Sequence, residues 1–242
     1  MAYWTTPDGV LYSTLYTDMA KQPHLLIAGA TGSGKSVVVN GILHTLLATH
    51  SPATLDLILI DPKRVELVQY RHLPHTTYYA SELDEFEKAL KKALDITEAR
   101  YRIMQKDGVK KWQYGDTYVV IDELADLMTT CRKTVQPLLQ RLCQIGRAAR
   151  VHVIAATQCP LAKILPTEIK VNFDARVGLR TRSGQDSRNI LGVTGCETLP
   201  RYGQGFYMTP EGCDRYKLPL IAEEDIDALI EYWTDKRKCY VA

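Results

Sequence analysis

The sequence predicts an α/β fold, with a mainly parallel central sheet flanked by helices, and three observations carry that expectation. Apolar, β-rich runs alternate along the chain with amphipathic stretches. Several runs are apolar without interruption, as in Leu25-Leu26-Ile27-Ala28 and Tyr118-Val119-Val120-Ile121, which is how strands buried on both faces of a parallel sheet read. A glycine-rich segment, Gly29 to Ser36, joins the first of these runs directly to a helical pattern.

Taken in order, strands are expected at 25–28, 55–61, 117–122, 151–157, 175–180 and 205–208. Helices are expected at 35–48, 82–105, 133–149, 186–191 and 223–237. The helix at 82–105 has Ser81 as its expected N-cap and Asp84 in its first turn. Leu83, Phe86, Leu90 and Leu94 follow at helical spacing. This alternation is that of a doubly wound sheet. No internal repeat, low-complexity tract or long linker divides it.

With 242 residues, 45% of them hydrophobic and 24% charged, the chain can bury the core of one large domain. No apolar run is long enough to cross a bilayer, and the start has neither a basic n-region nor an apolar h-region, so a cytoplasmic protein is expected. The six cysteines are scattered without CxxC spacing and read as reduced, structural thiols; the six histidines are equally dispersed. A metal site built from side chains alone is not expected. A net charge of +2 neither requires nor excludes a nucleic-acid partner.

Gly29-Ala30-Thr31-Gly32-Ser33-Gly34-Lys35-Ser36 fits the phosphate-binding pattern GxxxxGK[ST]. Glycines let the main chain approach a triphosphate closely. Successive N–H groups and the positive end of the next helix surround the phosphates, with Val37 continuing the site into that helix. Lys35 reaches the β and γ groups, and Ser36 holds Mg²⁺, so ATP and Mg²⁺ are the expected cofactors. The second chemical signal is Asp122-Glu123, two acids closing an apolar strand. In phosphate-loop enzymes the first acid supports Mg²⁺ and the second polarises the attacking water. The competing reading is a buried strand that ends in solvated or capping acids. Glu123 favours hydrolysis over transfer to another substrate.

The residues also resemble a family, the motor domain of the FtsK/SpoIIIE DNA translocases. The likeness runs through the approach to the loop from Met19 to Gly29 and through Ile60-Asp61-Pro62-Lys63-Arg64-Val65-Glu66-Leu67. It continues in Glu98-Ala99-Arg100-Tyr101-Arg102-Ile103-Met104 and Ile121-Asp122-Glu123-Leu124-Ala125-Asp126-Leu127-Met128. Gly146-Arg147-Ala148-Ala149-Arg150 with the strand leading to Gln158, and Gln185-Asp186-Ser187-Arg188-Asn189-Ile190-Leu191, complete the blocks in family order.

The resemblance implies a RecA-like P-loop NTPase fold and a homo-oligomeric, hexameric ring. ATP sites would lie between neighbours, and double-stranded DNA would run through the pore. It gives Arg147 the position of an arginine finger acting on the neighbour's γ-phosphate, against the alternative of a solvated cation at a helix C-terminus. Gln158 resembles the polar sensor of the γ-phosphate or water, against a buried hydrogen-bonding glutamine. Arg182 and Arg188 are the expected DNA contacts, in a stretch that also holds Lys170, Arg176 and Arg180; a solvated basic face is the other reading. Cys159 and Gly184 depart from the family where arginine and lysine are frequent, which predicts a weaker or redistributed DNA grip.

The expected organisation is a lead-in segment at 1–20, the motor at 21–220 and a C-terminal helix at 221–242, as an isolated motor or a minimal stand-alone relative. Two other functions stay open. One is an ATPase of conjugative coupling or type VII secretion, moving a protein or a protein–DNA cargo. The other is a nucleotide-gated assembly module that hardly hydrolyses ATP, which the intact Asp122 and Glu123 disfavour.

Overall fold

Six parallel strands form the middle of the sheet, and their order explains the uninterrupted apolar runs. The computed structural model describes residues 3–5, 11–13, 18–19, 21–161, 164–217 and 220–240. Most of the lead-in expected at 1–20 lies outside the described residues, apart from the antiparallel pair β1 (Tyr3–Thr5) and β2 (Leu11–Ser13). The side chain of Cys239 lies outside them too.

The main strands are β3 (His24–Ala28), β4 (Leu55–Ile60), β5 (Thr76–Ala80), β6 (Asp116–Ile121), β7 (Val151–Thr157), β8 (Ala175–Gly178), β9 (Gln204–Thr209) and β10 (Gly212–Lys217). They form one sheet in the order β10-β9-β8-β3-β7-β6-β4-β5. From β8 to β5 every neighbour is parallel; β9 and β10 close the other edge as an antiparallel hairpin. The helices are α1 (Lys35–Thr49), α2 (Leu83–Asp107), α3 (Leu124–Thr130), α4 (Arg132–Ile145), α5 (Thr167–Lys170), α6 (Gly184–Leu191) and α7 (Glu223–Tyr240).

Side chains of the central strands alternate between two cores, one on each face. Leu26, Val119, Ile121, Val153 and Ala155 pack with Phe86 and Leu90 of α2, Leu127 of α3 and Leu139 of α4. Leu25, Ile27, Val120, Ile154 and Ala156 pack on the opposite face with Val38, Leu43 and Leu47 of α1 and with Ile226 of α7. The C-terminal helix is therefore part of this core, and Trp233 Nε1 donates to Leu47 O at 3.0 Å. Doubly wound packing leaves no polar face on β3, β6 or β7, which is why these strands read as solid apolar runs.

The expected elements stand, with these main differences. Helix α2 is capped by Glu82 and not Ser81. Glu82 and Glu85 form a reciprocal capping box, and the Glu85 carboxylate also accepts the Ser81 N–H at 2.8 Å. The helix expected at 133–149 is α4, which ends at Ile145 in a turn, and α3 before it is an additional helix. Edge strands β5 and β10 were not expected. β5 is only partly buried and contains a register irregularity against β4, and β10 is largely exposed.

One buried group ties stability to pH. His24 Nδ1 accepts the Val153 N–H at 3.1 Å, and its Nε2 meets Cys143 O at 2.9 Å, which fixes the neutral tautomer. Burial, helped by the His152 charge and opposed by the Cys143 hydrogen bond, lowers the His24 pKa to about 4. The unfolded chain therefore binds a proton between pH 6.5 and 4 that the native state refuses, so stability falls as pH drops through this window. From pH 7 to pH 4.5 this one group should cost about 2 kcal/mol. Urea unfolding of wild type and His24→Gln across that range tests it. The variant should lose less stability on acidification, and parallel losses would exonerate His24.

Candidate nucleotide site

Strand order builds this site. Because β7 lies between β3 and β6, the carboxyl ends of all three meet at one edge of the sheet. β3 delivers the phosphate-binding loop, β6 delivers Asp122 and Glu123, and β7 delivers Gln158. In the loop, Gly32 and Gly34 hold positive φ of 72° and 98°, a region glycine enters without a Cβ penalty. At Gly29 the constraint is space, since a Cβ would lie 2.6 Å from Ser33 Oγ and 2.7 Å from Leu179 Cβ.

Lys35 is buried at the start of α1, and its Nζ donates to Asp122 O at 2.8 Å and to Asp122 Oδ1 at 3.2 Å. Burial raises the Asp122 pKa, while the Lys35 charge and hydrogen bond pull it down. Ser33 Oγ and Asp122 Oδ2 are buried without a hydrogen-bond partner. Open polar atoms beside a glycine cradle fit a phosphate–metal ligand, so the residues present suit ATP and Mg²⁺. Lys35 and the backbone N–H groups of Thr31, Gly32 and Gly34 to Val37 would hold phosphate, those of Gly29, Ala30 and Ser33 being bonded to Thr157 O, Arg180 O and Ala30 O, and Ser36 and Asp122 would hold the metal.

Glu123 is 2% exposed and serves as N-cap of α3, accepting the Ala125 N–H at 3.3 Å. It also accepts the Gln158 N–H, at 3.1 and 3.2 Å to its two oxygens, and Lys63 Nζ at 3.2 Å. Partial burial disfavours the Lys63 ammonium, but the charge and hydrogen bond of Glu123, with Asp126 and Asp122, raise its pKa. Thr31 Oγ1 donates to Gln158 Oε1 at 2.9 Å, so the expected sensor touches the phosphate loop directly. Lys35, Asp122, Glu123 and Gln158 thus converge as the sequence led us to expect.

Lys63 was legible only as a member of the Asp61–Leu67 block, without a role. Its turn is held by the buried Asp61 carboxylate, which accepts the Leu67 N–H at 3.0 Å and the Tyr79 hydroxyl at 3.3 Å. Arg64 takes a left-handed φ of 57° there and pairs with Glu82 at the start of α2. Arg201 carries no sequence signal. It lines a cavity of about 510 Å³ beside the loop together with Arg180, Arg182 and Glu197.

The remaining candidates lie apart. Arg147 is exposed in the turn between α4 and β7, at the opposite end of the sheet from its own loop. Seven residues of β7 separate the two ends, roughly 20 Å. Arg182 borders the cavity by the phosphate loop, whereas Arg188 is exposed on α6. Two other cations of the basic stretch hold backbone. Arg176 donates to Phe173 O, Ile190 O and Lys170 O, and Lys170 donates to Asn189 O.

Among the described residues no helix is long and apolar enough to cross a membrane. Residues 6–119 and 116–162 match the model of the FtsK/SpoIIIE family. The DNA translocase FtsK of Rickettsia bellii is 35% identical over 262 residues, which cover 90% of this chain and 35% of the relative. That of Chlorobaculum tepidum is 36% identical over 239 residues, covering 89% and 30%. The chain spans about a third of the length of these curated relatives. Among solved structures, the pCW3 conjugation coupling protein TcpA, in monomer form with ATPγS, superposes with a TM-score of 0.78 at 23% identity, covering 96% of this chain and 70% of its own. The cytoplasmic domain of the Thermomonospora curvata type VII secretion ATPase EccC gives a TM-score of 0.74 at 23% identity, covering 95% and 30%. Both share the fold, that of P-loop ATPases. With more than half of its length matched by the family model, the chain belongs to the FtsK/SpoIIIE family.

Proposed function

We propose that the protein is an ATP-dependent motor that moves along double-stranded DNA, working as a homo-oligomeric, hexameric ring with its ATP sites at subunit interfaces. The observation that carries this reading is the division of one catalytic set between the two ends of the sheet. Lys35, Asp122, Glu123 and Gln158 gather at one end, and Arg147 stands exposed about 20 Å away at the other. An arginine so placed serves a neighbour's nucleotide and not its own.

In each cycle Lys35 turns from Asp122 to the β- and γ-phosphates. Glu123 takes a proton from the attacking water once one of its present donors yields. Lys63 is the donor best able to move, being a side chain that is 40% exposed. Gln158 orients water against the γ-phosphate, and Arg147 of the adjacent subunit offsets charge in the transition state. Mg²⁺, when bound, screens the phosphate charge that opposes attack. Arg188 and Arg182 are proposed to meet DNA phosphates, without base readout. The reading carries a cytoplasmic location, where ATP, Mg²⁺ and DNA are together. A second reading draws on the likeness in fold to the coupling protein and the secretion ATPase, and gives the motor a protein or protein–DNA cargo.

ATP hydrolysis measured with and without long double-stranded DNA, at about 50 and 200 mM salt, separates the two. A DNA motor is stimulated by DNA, and the stimulation fades at the higher salt. No stimulation at low salt sinks the DNA reading and leaves the protein cargo. Glu123→Gln should bind ATP normally and lose about 100-fold or more in kcat, whereas Lys35→Ala should lose affinity as well. Wild-type turnover by Glu123→Gln would remove Glu123 as the base.

Gly29→Ala tests the cradle itself. Its Cβ meets Ser33 and Leu179, so the loop must shift, and ATPγS should bind about tenfold more weakly by calorimetry. Unchanged affinity would mean that the loop tolerates a side chain there.

A further inference from the structure

The turn that carries Arg147 is held at every backbone carbonyl from Ile145 to Arg150. Tyr101 OH donates to Ile145 O at 2.8 Å. Gly146 O accepts Val151 N–H at 3.0 Å, Arg147 O accepts Arg150 N–H at 3.3 Å, and Ala148 O accepts Trp112 N–H at 2.9 Å. Arg100 Nη1 then donates to Ala149 O at 2.8 Å and to Arg150 O at 3.1 Å.

The turn is also sterically over-determined. A Cβ on Gly146 would sit 2.4 Å from Val151 O and 2.8 Å from Leu142 O. Arg150 holds a left-handed φ of 54°, and its guanidinium is clamped on both oxygens of Asp116 at 2.6 and 2.5 Å. Strained backbone that its surroundings enforce in this way points to a functional constraint. In the middle of it the Arg147 side chain is exposed.

Arg100 itself is 7% exposed, stacks on Trp112 at 5.2 Å and donates to Thr117 Oγ1 at 2.7 Å. The buried guanidinium thus serves two consecutive carbonyls: Ala149 O, in a residue closed to solvent, has it as a donor, and Arg150 O accepts it beside the Thr117 N–H at 3.0 Å, while Asp56 Oδ2 lies 3.7 Å from Nη2.

We infer that Arg100 and Tyr101 are positioning residues that fix the Arg147 turn as a rigid platform, aiming Arg147 at the nucleotide of an adjacent subunit. This inference rests on the reading of Arg147 as acting in trans. It gives the Glu98–Met104 block a role in turnover in addition to its place in α2. Tyr101 holds the entry to the turn, Arg100 holds its exit, and α2 supplies both from successive residues.

The test uses full-length Arg100→Lys and Tyr101→Phe with ATP and DNA. Lysine keeps the charge but cannot bridge two carbonyls and Thr117; phenylalanine removes a single hydroxyl. Each variant should bind ATPγS within about twofold of wild type while kcat falls at least about tenfold, the cost of a misplaced charge and not of a lost site. Mixed with Lys35→Ala subunits, whose Arg147 turn is intact, each variant should regain turnover, because its phosphate loop now faces a sound turn. Mixed with Arg147→Ala subunits it should regain none.

Arg147→Ala mixed with Lys35→Ala is the control. If that pair shows no recovery, the trans reading itself fails. If that pair recovers but the Arg100 and Tyr101 variants keep wild-type kcat, or lose it without recovery by mixing, the positioning inference is overturned. Tyr101→Phe decides the matter where Arg100→Lys does not fold.

Discussion

The constraint on which the rest depends is the placement of β7 between β3 and β6 in a parallel sheet. Parallel neighbours bring their carboxyl ends to the same edge, so three chain segments far apart in sequence meet there. Lys35 and Asp122 can then be 3.2 Å apart although 87 residues separate them. Their contact is a poor source of stability, because burying two charges costs nearly what their attraction returns. Its consequence is positional. Lys35 Nζ reaches the main-chain carbonyl of Asp122 at 2.8 Å as well as its carboxylate, so two contacts fold the lysine over the end of β6. The start of α1, and with it the loop, is thus tied to the carboxyl end of β6.

The central strands and the loop were readable in the sequence for one physical reason. Burial on both faces removes the polar alternation that makes short strands ambiguous, and β3, β6 and β7 are buried on both faces. β5 fails that condition. Its residues are only partly buried at the sheet edge, and Thr76 to Ala80 carry no run of aliphatic residues. The helix starts failed differently. α2 and α3 both begin at a glutamate, a residue whose longer side chain is a less common cap than serine or aspartate. At Glu82 this moved the cap by one residue; at Glu123 the capping role, weighed only as the competing reading of the acid pair, is real and starts a helix that was not expected.

The end of α4 shows the same limit from the packing side. Ala148 and Ala149 are strong helix formers, and local propensity extends the helix through them. Tertiary donors override it. The carbonyls that a continuing helix would satisfy internally are taken by Tyr101, Trp112 and Arg100, all from α2 or the segment after it. No pattern within 133–150 announces partners that lie some 40 residues upstream. The site residues were legible where a motif fixes the chemistry, at Lys35 and Asp122. They were not legible where a side chain acts through geometry alone, at Lys63, Arg100 and Arg201.

Two of these residues, Lys63 and Arg100, connect to α2. Its N-cap Glu82 pairs with Arg64, whose neighbour Lys63 holds Glu123. Its last third carries Arg100 and Tyr101 on the Arg147 turn. The helix is 25 residues long, roughly 37 Å, and its apolar face is anchored in the core through Phe86, Leu90 and Ala93. One element is therefore linked, through the Arg64 and Lys63 turn, to the carboxylate that would activate water in its own site and, through Tyr101 and Arg100, to the turn that carries the arginine that would complete a neighbour's. A helix so anchored moves as a body or not at all, since close-packed cores do not deform continuously. The two links differ in strength: the Arg64–Glu82 ion pair is more than half exposed and holds the Lys63 turn only weakly, whereas Arg100 bonds Ala149 O in the buried interior.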